Sequence, residues 1–176
     1  AGKTDISPED VMGIKVFMGS STGNMLVDEN NTLDRLFSIK GKPVLVHCED
    51  EETIRTNLQA ATAKYGDEIP FSEHENIRSR KACIKSSIRA LEKAIKHGTT
   101  LVLCHISTKE SVDIIRKAKA EGVDITCETA PHYLVMDDSF LKEDGRYKMN
   151  PPLRDQKDRE ALIEGVLDGT SDMIAT

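Results

Sequence analysis

Short apolar runs of strand type alternate along the chain with stretches of helical periodicity. The runs are Ile14-Lys15-Val16-Phe17-Met18, Val44-Leu45-Val46-His47-Cys48, Leu101-Val102-Leu103-Cys104-His105-Ile106, a fourth over 123–127 and a last over 172–176. Near-continuous Val, Ile and Leu of this kind mark parallel strands buried on both faces. Between them the spacing predicts helices over 31–39, 53–65 and 77–97, the last with Ala82, Ile84, Ile88, Leu91 and Ile95 in helical register. A further helix follows Ser107 or Thr108 as N-cap, with Val112, Ile115 and Ala118 as its apolar face, and a final one covers 155–167. Gly66, Gly98 and Gly122 stand where helices must stop. The segment 19–24 reads as a polar Gly-rich loop, 67–75 as a polar loop, and the stretch after Tyr133 as a long irregular connection.

Strands alternating with helices imply a parallel sheet with crossover helices. Two architectures fit, an open doubly wound sheet and part of a (β/α)₈ barrel. A whole barrel takes about 250 residues, so 176 residues hold only its larger part. No GxGxxG or Walker A loop follows a strand, which weakens the nucleotide-binding form of the open sheet. The chain begins Ala1-Gly2 and its last run stops mid-strand, so a piece of a longer polypeptide is expected, with 1–176 as one partial domain.

Composition narrows the function classes. With 38% hydrophobic and 31% charged residues the chain reads as globular. A net charge of -6 without a basic stripe argues against nucleic acid, and no apolar window is long enough for a membrane span. Four cysteines without CxxC pairing exclude a zinc ribbon and fit a reducing, cytoplasmic setting.

Chemistry is concentrated in three polar side chains on the apolar runs, Lys15, His47 and His105. Functional groups of parallel α/β proteins gather at the carboxyl ends of strands. Neighbouring strands lie about 4.8 Å apart, so two strand-end imidazoles can share one ion, and neutral imidazole suits zinc. The plainer alternative is a pair of buried, hydrogen-bonded core histidines. Lys15 either snorkels to solvent or loses its charge; a neutral amine there can add carbon dioxide to give a carbamate, a two-oxygen ligand. His132 is a site residue or a loop histidine, and His74 and His97 carry no functional expectation. In Asn150-Pro151-Pro152-Leu153-Arg154 two prolines stiffen the backbone and hold Asn150 ready to pair with a polar ligand edge.

Taken in order, Ile14 to Met18 with Ser20-Ser21-Thr22-Gly23-Asn24-Met25-Leu26-Val27, Val46-His47-Cys48-Glu49-Asp50, Cys104 to Ser111, Glu128 to Leu134 and Lys148 to Arg154 resemble the dihydroorotases of the amidohydrolase superfamily, over the whole chain. The resemblance implies strands four to eight of a (β/α)₈ barrel with a two-zinc site. It places a bridging carboxylated lysine on Lys15, histidine ligands on His47 and His105, and a contact to the pyrimidine ring on Asn150. It implies reversible cyclisation of the small-molecule substrate N-carbamoyl-L-aspartate to L-dihydroorotate, and a homodimer is compatible with it.

Departures from the family pattern are equally definite. No HxH motif occurs, and the metal-binding, proton-carrying aspartate of the last strand would come just beyond Thr176. Three of the six expected metal-site groups are therefore present, no catalytic acid or base is among them, and the chain alone is not expected to turn over substrate. Rival readings are a dihydropyrimidinase, hydantoinase or allantoinase of the same branch, and a non-catalytic amidohydrolase-like scaffold. In a third, an open sheet without metal, His47 and His105 would not converge.

Overall fold

A computed structural model describes residues 10–19 and 26–176; residues 20–24 of the Gly-rich loop, and Met25 after them, lie outside the described residues. Five parallel strands form one sheet: β1 (Ile14–Phe17), β2 (Val44–His47), β3 (Leu101–Leu103), β4 (Ile125–Thr129) and β5 (Met173–Ile174). Their spatial order is β1-β2-β3-β4-β5, so each strand pairs with its neighbour in the chain. A doubly wound sheet reverses strand order at a switch point. No reversal occurs among these strands, and the sequential winding is that of a barrel.

The helices between them are α1 (Asn30–Phe37), α2 (Glu51–Tyr65), α3 (His74–Ile77), α4 (Arg80–His97), α5 (Lys109–Ala120), α6 (Pro131–Val135), α7 (Asp138–Glu143) and α8 (Gln156–Leu167). Local chemistry sets most of their ends. Asp50 accepts from Thr53 N at 3.0 Å to cap α2, Thr108 accepts from Ser111 N at 3.3 Å to cap α5, and Asp155 accepts from Asp158 N at 3.0 Å to cap α8. Gly98 closes α4 in the left-handed conformation at φ 58°.

Register separates the two faces of the sheet. Ile14 pairs with Val44, Val16 with Val46, Val44 with Leu101, Val46 with Leu103, and Leu103 with Cys127. These side chains join Leu33, Phe37, Ala90, Ala94, Val112, Ile115 and Leu162 in the main core, beneath the helices. Side chains alternate along a strand, so Lys15, Phe17, Leu45, His47, Val102 and Cys104 share the opposite face. Of the chemistry-bearing residues, Lys15 and His47 are brought to that face by the pleat.

Three expectations are corrected. The helix expected over 77–97 is broken: α3 ends at Ile77, Arg78 takes φ -91°, ψ 61°, and α4 begins at Arg80. Its isoleucines do not form the buried face. Ala82, Cys83, Ser86, Ser87, Ala90 and Ala94 are buried, whereas Ile88 and Ile95 are exposed. Small residues let α4 lie close to its neighbours, and close approach decides the inward side here more than hydrophobicity. The fourth strand runs two residues later than expected, ending at Thr129. The connection after Tyr133 contains α7 and a 3₁₀ turn (Gly145–Tyr147), capped by Asp137 and Asp144. Among the described residues no helix is long and apolar enough to cross a membrane.

Candidate metal centre

His47 is the last residue of β2, and His105 follows β3 by two residues. They converge: His47 Nδ1 and His105 Nε2 stand 3.1 Å apart, with the rings edge-to-face at 4.7 Å between centroids. His105 has φ 42°, the one non-glycine residue with positive φ among those described. Such a backbone costs about 1–2 kcal/mol for an L-residue. It turns the ring back over the strand end toward His47. Burial, reinforced by the nearby His47 and Lys15, pushes the His105 imidazole down to about 3, so this ring is neutral at physiological pH.

The far side of His47 is equally ordered. Its Nε2 donates to Glu49 Oε2 at 2.7 Å, and Glu49 is fully buried. Arg78 Nε donates to Glu49 Oε1 at 3.1 Å, and its terminal nitrogen donates to Oε2. Burial alone would raise the Glu49 carboxyl, but the His47 hydrogen bond and the Arg78 charge outweigh it and hold it below the usual carboxylate range. Glycine is required at position 19, where an added Cβ would lie 1.8 Å from the Glu49 carbonyl oxygen.

Lys15 lies on the same face and follows the solvent-reaching alternative of the two that the apolar run left open. β1 is paired with β2 alone through its named register, and Lys15 is exposed. Its Nζ reaches across β2 to Cys104 Sγ at 2.9 Å and lies 5.5 Å from the Phe17 ring centroid. Asn150 is also exposed, in a bend whose flanks are tied down. His74 Nε2 donates to Met149 O at 2.9 Å on one side, and Tyr133 OH donates to Pro151 O at 2.6 Å on the other. Among the described residues no hydrogen bond joins Asn150 to the paired imidazoles. His132 sits on α6 against the Tyr133 ring, 4.2 Å between centroids.

Proton positions on the two rings decide whether the donor set suits an ion. A carboxylate can only accept, so His47 Nε2 carries the proton and Nδ1 presents a lone pair. With no ion between the rings, His105 Nε2 supplies the intervening proton and its Nδ1 becomes a buried acceptor without a partner, which is how that atom is found. An ion replacing the proton would move hydrogen to that orphaned nitrogen. Two nitrogens on one tetrahedral zinc, each about 2.0–2.1 Å from it, lie about 3.3 Å apart, close to the separation here. Two imidazoles at this separation, with a carboxylate behind one of them, therefore fit zinc. Among the described residues, no three His, Cys, Asp or Glu side chains cluster to hold an ion unaided.

Sequence reasoning missed Arg78 and His74 and gave Glu49 no role. A carboxylate two residues after a strand-end histidine was the available signal for Glu49. Arg78 and His74 carried none, because their partners lie 29 and 75 residues away.

Fold and strand-end histidines together resemble one part of the D-hydantoinase barrel. D-hydantoinase from Bacillus sp. AR9 superposes with a TM-score of 0.88 at 26% identity, over 96% of this chain and 37% of that one. A second D-hydantoinase structure gives 0.85 at 25% identity, over 94% and 37%. In sequence the likeness is more particular. The chain is 52% identical over 136 residues to the dihydroorotase of Lactobacillus gasseri (76% of this chain, 30% of the relative). It is 41% identical over 136 residues to that of Staphylococcus epidermidis (77% and 31%), and 53% identical over 89 residues to that of Lactobacillus acidophilus (50% and 21%). It thus spans between a fifth and a third of these dihydroorotases. No family model matches.

Proposed function

We propose that this chain contributes about half of the metal centre of a dihydroorotase, which interconverts N-carbamoyl-L-aspartate and L-dihydroorotate in pyrimidine synthesis. The convergence of His47 Nδ1 and His105 Nε2 at 3.1 Å carries the reading. It speaks against the metal-free open sheet, in which these rings would stay apart. The identities of 41–53% to dihydroorotases favour that substrate over the hydantoins of the structural neighbours.

In this reading the five strands are the fourth to eighth of the barrel. His47 and His105 would hold one zinc, and Lys15 would contribute as a carbamate, its ammonium losing one proton to free the amine and a second as Nζ adds carbon dioxide. When bound, the two ions supply an activated water and polarise the scissile amide carbonyl. The pleat supports this reading, because it sets Lys15 on the His47 face of the sheet. Asn150 offers its amide to the polar edge of the ring, steadied by the bonds to Met149 O and Pro151 O on either side. The enzyme acts in the cytoplasm, and a homodimer is compatible with the barrel.

The test is zinc analysis of the full-length protein, with activity on dihydroorotate, dihydrouracil and allantoin. Close to two zincs per chain and turnover of dihydroorotate are expected. Activity on dihydrouracil alone transfers the assignment to the hydantoinase type, and less than one zinc per chain favours a scaffold.

A further inference from the structure

Glu49 and Arg78 form a buried ion pair for which the proposed function has no use. Such a pair is weak evidence for stability, because apolar side chains of similar volume often serve as well. Its placement is specific, however. Glu49 Oε2 accepts from the ring nitrogen of His47 opposite the one that faces His105, at 2.7 Å. The guanidinium of Arg78 binds both carboxylate oxygens and so fixes the plane of the carboxylate against the imidazole. Arg78 is itself pinned at the break between α3 and α4, where Arg154 donates to its carbonyl at 2.7 Å.

Remove the carboxylate and Nε2 of His47 loses the acceptor that holds its proton, while Nδ1 still faces a ring nitrogen of His105 that can accept one. The imidazole then lowers its energy by placing its proton on Nδ1, where it blocks the lone pair aimed at the ion. Partners of this kind fix both the tautomer and the orientation of a ligating histidine. We propose that Glu49, held by Arg78, is a positioning residue that keeps His47 in its Nε2-protonated form and thereby presents Nδ1 to the ion shared with His105. The proposal rests on the metal reading above, and the test separates the two.

Zinc affinity of the full-length protein is measured by chelator competition, and the tautomer of His47 in the metal-free protein by ¹⁵N chemical shifts after selective histidine labelling. The informative variant is the double replacement Glu49→Met with Arg78→Met, which leaves no lone buried charge. It should melt, metal-free, within a few degrees of wild type, lose zinc affinity by about 10- to 100-fold, and show proton density shifted to Nδ1 of His47. Glu49→Gln keeps the side-chain volume and is read against the same thresholds if the double variant does not fold. A folded variant with affinity within threefold of wild type, or with an unchanged His47 tautomer, overturns the proposal. Loss of affinity only in proportion to loss of fold also overturns it, since the pair would then be structural. If His47→Ala and His105→Ala leave zinc content at wild-type level, the metal reading itself falls.

Discussion

Asp158 is the most informative place to probe how the helices are held over the sheet. It is 1% exposed on α8, accepts from Arg80 at 2.6 and 2.5 Å, and accepts from the Lys109 backbone N–H at 2.8 Å. Arg80 opens α4 and Lys109 opens α5, so one carboxylate ties three helices together. Breaking a buried pair costs about 3–5 kcal/mol. The Arg80 side chain is 32% exposed and keeps Glu110 at 2.8 Å and Asp155 at 3.6 Å. Solvent screening and these remaining partners lower the cost of Asp158→Ala to about 2–3 kcal/mol. Hydrogen exchange of the full-length protein reads this locally. Amides in the first turns of α4 and α5 should exchange about 30- to 150-fold faster, the equivalent of that free energy. Asp113→Ala is the control, since Asp113 meets Arg116 on the surface with 54% of its side chain exposed, and it should change exchange by less than about threefold. If Asp158→Ala leaves both first turns within threefold of wild type, or no further changed than the control, the three-helix tie does not exist as described.

Two further outcomes are expected. Burial raises the Glu75 carboxyl above its ordinary range, with Arg154 pulling the other way; folded protein then binds more protons than unfolded as pH rises above about 4.5, so Glu75 subtracts stability at neutral pH and not at pH 4. Glu75→Gln should therefore stabilise the full-length protein at pH 7 and leave it unchanged at pH 4 in urea melts, and equal effects at both pH values would show the carboxyl is not strained. Tyr133→Phe deletes the bond to Pro151 O and should cost about 1–2 kcal/mol while raising KM for dihydroorotate more than it lowers kcat; an unchanged KM would detach this bond from the Asn150 bend.

Much of the fold was legible because strands and caps announce themselves locally. The three runs bearing Lys15, His47 and His105 are strands or strand ends, and Gly98 and Thr108 act where sequence placed them. Periodicity alone left two sheet architectures open, because strand order is a property of pairing rather than of any single segment; the ordered motifs of the resemblance pointed to the barrel, and the strand order agrees. On α4 the isoleucine spacing pointed to the wrong side. Ser86 and Ser87 are buried where a hydrophobic pattern would not put them. The break at Arg78 was hidden for a similar reason. Its backbone leaves the helix where its side chain is drawn to Glu49, and nothing within a helical turn of Arg78 foretells that. Half of the site could be read from residue type and strand position; the partners that orient it are set by contacts across the chain.

Arg78 uses its side chain on the carboxylate behind His47 and its carbonyl on Arg154, four residues beyond Asn150. A single residue is therefore shared between the strand that ends in His47 and the segment that carries Asn150. Substitutions selected in that segment to admit a different ring would be felt at the imidazoles through this shared joint. The two should show epistasis, so that changes in ring preference accumulate only alongside compensating changes near residue 78, and libraries that vary the two regions together should outperform libraries that vary either alone.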